Sequence, residues 1–409
     1  MGAIAVFTQH EIALGLLSIL IGSIIITWLA IRNPSIAAPL FTALTLRIVA
    51  SLYHSFVEPL PFRALDAFRF VNIGSRWAEQ GLVVTLLSFT TGAGLYSWFI
   101  GIVYSLAGES SLMIQAINVT LGTLVVYNVY SASNLLWGKK SASLSSWFVA
   151  IYPTLVLFSA LNLREAPIVF LFSVGIFRYV KWKITEQPLN LLLAGAVFAL
   201  AGALHTGMLV ALVMLVVFLL LHWLIHLTRG PMRSFVESSV LALVVGGVVV
   251  VLLIAGWGTR KLGSDRFDLM DAVIRKQEQV AGKGRASYLE ESIPTNPRAV
   301  VLQSPARILY FTLSPFPWTL ITSADFLGFA DVLILGSFIG IAISSIRRVK
   351  KNSTVIQLAA MLVLLWVAFA LGTSNYGTAL RHRAKLAPLI FVITCYGGKM
   401  NERRPKGIV

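Results

Sequence analysis

The sequence predicts an all-α polytopic membrane protein of about eleven transmembrane helices. Three observations lead there. Hydrophobic residues make up 57% of the 409 and charged residues 12%, with a mean hydropathy of +0.81. A water-soluble chain of this length needs far more charge to cover its surface. Apolar runs of about 18 residues or more, the length that crosses a hydrocarbon core about 30 Å thick, recur throughout. Lysine and arginine concentrate in alternate linkers, the bias of cytoplasmic loops.

Taken in order, the expected spans are residues 11–31, 35–56, 112–136, 142–161, 166–182, 188–206, 208–227, 236–256, 326–346, 355–373 and 385–399. One set of linkers, with Arg178 near a helix end, holds 16 basic residues, among them Arg32, Lys139, Lys140 and Arg347, against three acids. The opposite face holds 16 basic residues against 14 acids. The N-terminus is therefore expected outside and the C-terminus in the cytoplasm, in a multi-pass cell-membrane protein. The first residues carry no basic n-region, so no cleavable signal peptide is expected. Residues 90–108 are apolar enough to span, but spanning would move Lys139 and Lys140 outside and invert the loops that follow. An interfacial or re-entrant segment keeps the alternation and suits Tyr96 and Trp98 at headgroup level.

The net charge of +16 is thus accounted for by topology. No aromatic-interleaved basic domain or zinc spacing accompanies it, so nucleic acid is not an expected partner. The single Cys395 excludes an intramolecular disulfide. His222 and His226 share a spacing of four but have no third ligand nearby in sequence.

Function is expected on the outer face, where two long loops, 57–111 and 257–325, interrupt the helices. The first holds Asp66 between Arg63 and Arg69. Asp66 is either a general base for an attacking hydroxyl or the partner of a neighbouring arginine or a helix cap. Arg164 and Glu165 sit together in the turn before Pro167, where charge at the hydrocarbon edge is expensive and often functional; a local ion pair marking the turn is the plainer alternative. Arg381, His382, Arg383 and Lys385 begin the last span from the outside, where orientation does not require positive charge. Arginine suits bidentate phosphate recognition and lysine adds a point charge, while snorkelling to anionic headgroups is the bland alternative. His205, between the sixth and seventh spans, has a hydrogen-bonding or a structural role. Arg47 lies deep enough in the second span to need a polar partner. The spans hold few other charges, which argues against a polar transport route.

These residues, in this order and sidedness, resemble the GT-C superfamily of polyprenol-dependent membrane glycosyltransferases. The match is best over residues 40–210: Arg47, Asp66 in an outer loop, Gly138-Lys139-Lys140, Ala150-Ile151-Tyr152-Pro153 and Leu163-Arg164-Glu165, joined later by Arg381–Pro388. The resemblance implies an extra N-terminal helix (1–34), a catalytic module (35–227) and a C-terminal helical part (228–409). It also implies inverting transfer of a sugar from a polyprenyl-phosphate carrier to a glycan, lipid or protein acceptor on the extracytoplasmic face. Asp66 would be the base. Arg63, Arg69, Arg164, Glu165, His205, Arg381, His382, Arg383 and Lys385 would bind substrate. The Asp loop follows the second span where the family usually places it after the first, and Phe70 stands where many members have tyrosine. The cofactor stays open, because no second acidic motif for a divalent metal is legible. An O-antigen-type polymerase acting on pyrophosphate-linked glycans, and a lipid-linked glycan flippase, remain as alternatives.

Overall fold

The computed structural model describes residues 8–62, 64–229, 286–289, 297–349 and 352–394. Arg63, the expected span 236–256, most of the second loop and everything from Cys395 onward lie outside the described residues. What is described is helical, with one isolated antiparallel bridge between Ser287 and Asn375.

The first helix, α1 (Gln9–Arg32), starts from a capping box: Thr8 Oγ1 accepts from Glu11 N, and Glu11 Oε2 accepts from Thr8 N. Its leucines and isoleucines at 16, 17, 20, 21 and 24 are exposed, whereas Gly15, Gly22, Ile26 and Ala30 face inward. An apolar outside with small residues inside is the pattern of a helix solvated by lipid and packed through close backbone approach. A Cβ on Gly22 would lie only 2.2 Å from Thr120 Oγ1 of α6 (Ser111–Trp137). Helix α6 is the most enclosed of the long helices and packs on α1, α2 (Ala37–Phe56), α7 (Lys139–Ile151) and α9 (Glu165–Thr185).

Between α7 and α8 (Pro153–Ser159) the chain bends by 54°. Pro153 has no N–H to give to Val149 O. The guanidinium of Arg47 fills the gap, donating to Val149 O (3.2 Å), Ala150 O (3.0 Å) and Ala43 O (3.1 Å). The polar partner that Arg47 needs is therefore a break in a neighbouring helix.

Bonds across helix ends bring several termini to one end of the bundle. Ser110 Oγ donates to Glu11 O (2.7 Å), Asn162 Nδ2 to Ser111 Oγ (2.5 Å), and Arg164 Nη1 to Leu204 O (2.6 Å) at the close of α10 (Pro188–Leu204). The starts of α1, α6 and α9 thus sit with the finish of α10. The first long loop is built from α3 (Ala64–Glu79), α4 (Leu82–Leu87) and α5 (Ala93–Ala107). Helix α5 has 15 residues, fewer than the roughly 20 a crossing needs. Gly92, before it, donates to Ala203 O (2.7 Å), and Gly108, after it, lies against His10. It therefore begins and finishes at the same end of the bundle.

The remaining described helices are α11 (Leu209–Arg229), α12 (Pro297–Leu313), α13 (Ser323–Arg348), α14 (Ser353–Leu371) and α15 (Tyr376–Ile393). By length and composition, five described helices can cross a membrane, or six if the bent α7–α8 pair is one span. The chain is an all-α membrane protein. The difference from eleven has physical causes. Helices α9 and α15 are long enough but carry basic residues within the apolar stretch, α10 and the apolar stretch 206–222 that enters α11 have 17 residues each, and the expected span 236–256 is outside the described residues.

Candidate functional site

The start of α15 is fixed from several sides. Asn375 caps it, its Oδ1 accepting from Gly377 N (2.8 Å) and Thr378 N (3.3 Å). The short stretch of the second loop around Ser287 pairs with the same turn: Tyr288 N donates to Ser374 O and Tyr376 N to Ala286 O, each at 2.9 Å. The Tyr376 hydroxyl donates to Asp325 at the first turn of α13.

At about 100° per residue, Arg381 and Lys385 share one face of α15, while Arg383 is turned about 200° from Arg381. The contacts follow that phase. Arg381 Nη1 pairs with Asp66 Oδ2 at 3.0 Å, and its Nη2 donates to Phe62 O at 3.2 Å. Lys385 Nζ lies 3.5 Å from Glu165 Oε1 and 3.2 Å from His382 Nδ1. The His382 ring stacks on Phe369 at 4.4 Å and meets the His205 ring at 5.0 Å. Arg164, beside Glu165, reaches over the Phe70 ring at 5.9 Å. Seven residues expected at the site, Asp66, Arg164, Glu165, His205, Arg381, His382 and Lys385, therefore meet at one end of the bundle.

Their settings differ. The Lys385–Glu165 pair is buried, at 1% and 5% side-chain exposure, whereas Arg381 and Asp66 are 13% and 55% exposed. Glu165 Oε2 is buried without a hydrogen-bond partner. The turn carrying Arg164 and Glu165 is held from α6, where Asn118 Nδ2 donates to Leu161 O (2.7 Å), Leu163 O (3.0 Å) and the Tyr96 hydroxyl (2.8 Å). Across the cluster, three guanidinium or ammonium groups face two carboxylates. The excess positive charge suits an anion.

Other expectations land elsewhere. Arg383 does not join the cluster. It is fully buried on the far face of α15, with Nε 3.0 Å from Asp331 Oδ2 and Nη1 donating to Phe311 O and Ser314 O. Asp331 also accepts from the Tyr152 and Thr154 hydroxyls. This is a bolt joining α15, α13, α12 and α8, and it corrects the expectation that the spans hold few charges beyond Arg47. Arg69 is exposed on α3 and enters none of the cluster's contacts. Arg63 lies outside the described residues. Phe369, Asn118, Phe62 and Asp331 were not foreseen. Only Asp331 had a plain signal, a carboxylate inside an apolar span. Among the described residues, no group of three or more His, Cys, Asp or Glu side chains stands ready to hold a metal.

No family model, no curated protein and no solved structure matches this chain.

Proposed function

We infer that the chain is a membrane glycosyltransferase that moves a sugar, with inversion, from a polyprenyl-phosphate carrier to an acceptor hydroxyl. The observation that carries this reading is the meeting of a partly exposed carboxylate with three cationic side chains from distant parts of the sequence. Asp66 comes from the first loop, Arg164 from the α8–α9 turn, and Arg381 and Lys385 from α15. The eleven-span arrangement, with the site end facing away from the cytoplasm, belongs to the same reading. It places the cluster where the carrier's head would sit and its tail would run along lipid-facing helices.

In this reaction the acceptor oxygen bonds to the anomeric carbon and its proton passes to Asp66. The glycosidic carbon–oxygen bond breaks, and carrier phosphate leaves with the electron pair. Negative charge grows on the phosphate as that bond breaks, so cations fixed beforehand stabilise the transition state more than the ground state. Arg381 supplies a fork of donors and Lys385 a point charge. Glu165 keeps Lys385 in place, and the turn held by Asn118 keeps Arg164 in place. The Oδ1 atom of Asp66 takes no hydrogen bond among the described residues, which leaves it open to a hydroxyl.

The test is transfer in proteoliposomes with a panel of polyprenyl-phosphate and polyprenyl-pyrophosphate sugars. Asp66→Asn should lower turnover about 10²- to 10⁴-fold, the usual weight of a general base. Full activity in that variant would remove Asp66 from the chemistry. Product length separates single-sugar transfer from polymerisation, and a donor that works only as a pyrophosphate would favour the polymerase.

A further inference from the structure

We propose that Arg381 exchanges partners, holding Asp66 while the site is empty and the donor phosphate once it is loaded, so that arrival of the anion releases the base. This rests on the reading of the site as a lipid-phosphate sugar site and adds a mechanism to it.

The geometry poses a conflict. Arg381 Nη1 and Asp66 Oδ2 are paired at 3.0 Å. While they are paired, the guanidinium is partly neutralised toward a phosphate, and one carboxylate oxygen is occupied by a cation. Neither group then performs its role in full. An exchange resolves the conflict, because a phosphate oxygen can accept from Arg381 Nη1 the same charge-assisted hydrogen bond that Asp66 Oδ2 accepts.

Burial identifies which pair opens. Asp66 is 55% exposed, so water stabilises its free carboxylate when the arginine turns away. An exposed ion pair is weak and easily given up. The neighbouring pair of Lys385 with Glu165 is nearly solvent-free, and parting it would strand buried charge. Arg383 is tied down more firmly still, by Asp331 and two carbonyls. Of the three ion pairs that α15 makes among the described residues, only the first is built to exchange.

The local backbone helps. Arg381 Nη2 also holds Phe62 O, and Phe62 has φ of 60°, a left-handed conformation that side chains other than glycine rarely adopt. Strain of this kind persists only where surrounding contacts enforce it. The Phe62 ring packs against Gly377, the second residue of α15. Arg381 therefore stays anchored through its second nitrogen while the first changes partner, and Phe62 is a positioning residue for that motion.

The consequence is a base with one carboxylate oxygen held by a cation until a donor is bound. The test is a double-mutant cycle of anion binding in nanodiscs, with farnesyl phosphate as the lipid probe and inorganic phosphate as the free-anion probe. Removing the competing carboxylate with Asp66→Asn should tighten farnesyl phosphate binding about two- to fivefold, the size of an exposed ion pair. That gain should vanish in the Arg381→Gln background, since there is no longer a guanidinium to compete for. If Arg381→Gln does not fold, Arg381→Met, which likewise removes the charge and keeps a side chain of similar reach, takes its place. An equal gain in both backgrounds would mean simple repulsion and overturn the exchange, as would no gain in either. If farnesyl phosphate bound without any dependence on Arg381, the assignment of this cluster as the phosphate site would fall first. Inorganic phosphate binding as tightly as the lipid would identify a free-anion site and overturn the lipid-phosphate version.

Discussion

Among single residues, charge type was legible and direction was not. The sequence marks Arg381, Arg383 and Lys385 as basic residues on the face where orientation does not call for them. Nothing in their adjacency separates the two that reach the site from the one that anchors the helix. That sorting comes from helical phase, which depends on where α15 begins. Phe62 was invisible for a different reason: its left-handed φ is imposed by contacts to residues more than 300 positions away. Replacing it tests its role. Phe62→Gly accepts the same φ without strain but removes the ring from Gly377. Stability should stay within about 1 kcal/mol, since relief of backbone strain offsets the lost contact. Donor KM should rise roughly two- to fivefold with kcat little changed, as expected for loss of an anchor worth one modest interaction. A fall in kcat at constant KM would place Phe62 in the chemical step instead.

At the scale of elements, hydropathy reads 142–161 as one span, and the structure divides it at Tyr152–Pro153 with a bend of 54°. The proline was visible in the sequence, but its partner was not. Arg47 lies 102 positions from Val149 and answers a carbonyl that the proline leaves without a donor. This bend aims α8 toward the turn that carries Arg164 and Glu165. Arg47→Met should therefore destabilise the protein by about 1–3 kcal/mol, the cost of carbonyls left buried and unpaired. Melting in detergent measures it. In a Pro153→Ala background an N–H returns to Val149 O, so the same substitution should cost measurably less. Equal costs in the two backgrounds would show that Arg47 and the break are independent. The segment 90–108 carries the 15-residue helix α5, short for a crossing; the charge pattern on either side led to the non-spanning expectation, whereas its own composition pointed the other way.

For the whole molecule, composition alone was enough to establish a membrane protein. The meeting of loop, turn and helix was beyond it, since the Asp66–Arg381 contact closes 315 residues of chain. The sidedness of that meeting is testable with impermeant maleimide on intact cells. In a Cys395→Ser background, Glu58→Cys at the start of the first loop should label without permeabilisation, and Lys140→Cys only after it. The reverse pattern would turn the molecule over and bring the site to the cytoplasm. Helix α15 carries a further consequence. One of its faces is bolted to three neighbouring helices through Arg383, and the other carries Arg381 and Lys385 into the charged cluster. Structural and chemical obligations thus fall on different residues of the same two turns. Selection, or a protein engineer, can revise the face that carries Arg381 and Lys385 while the bolted face goes on holding the helix in place.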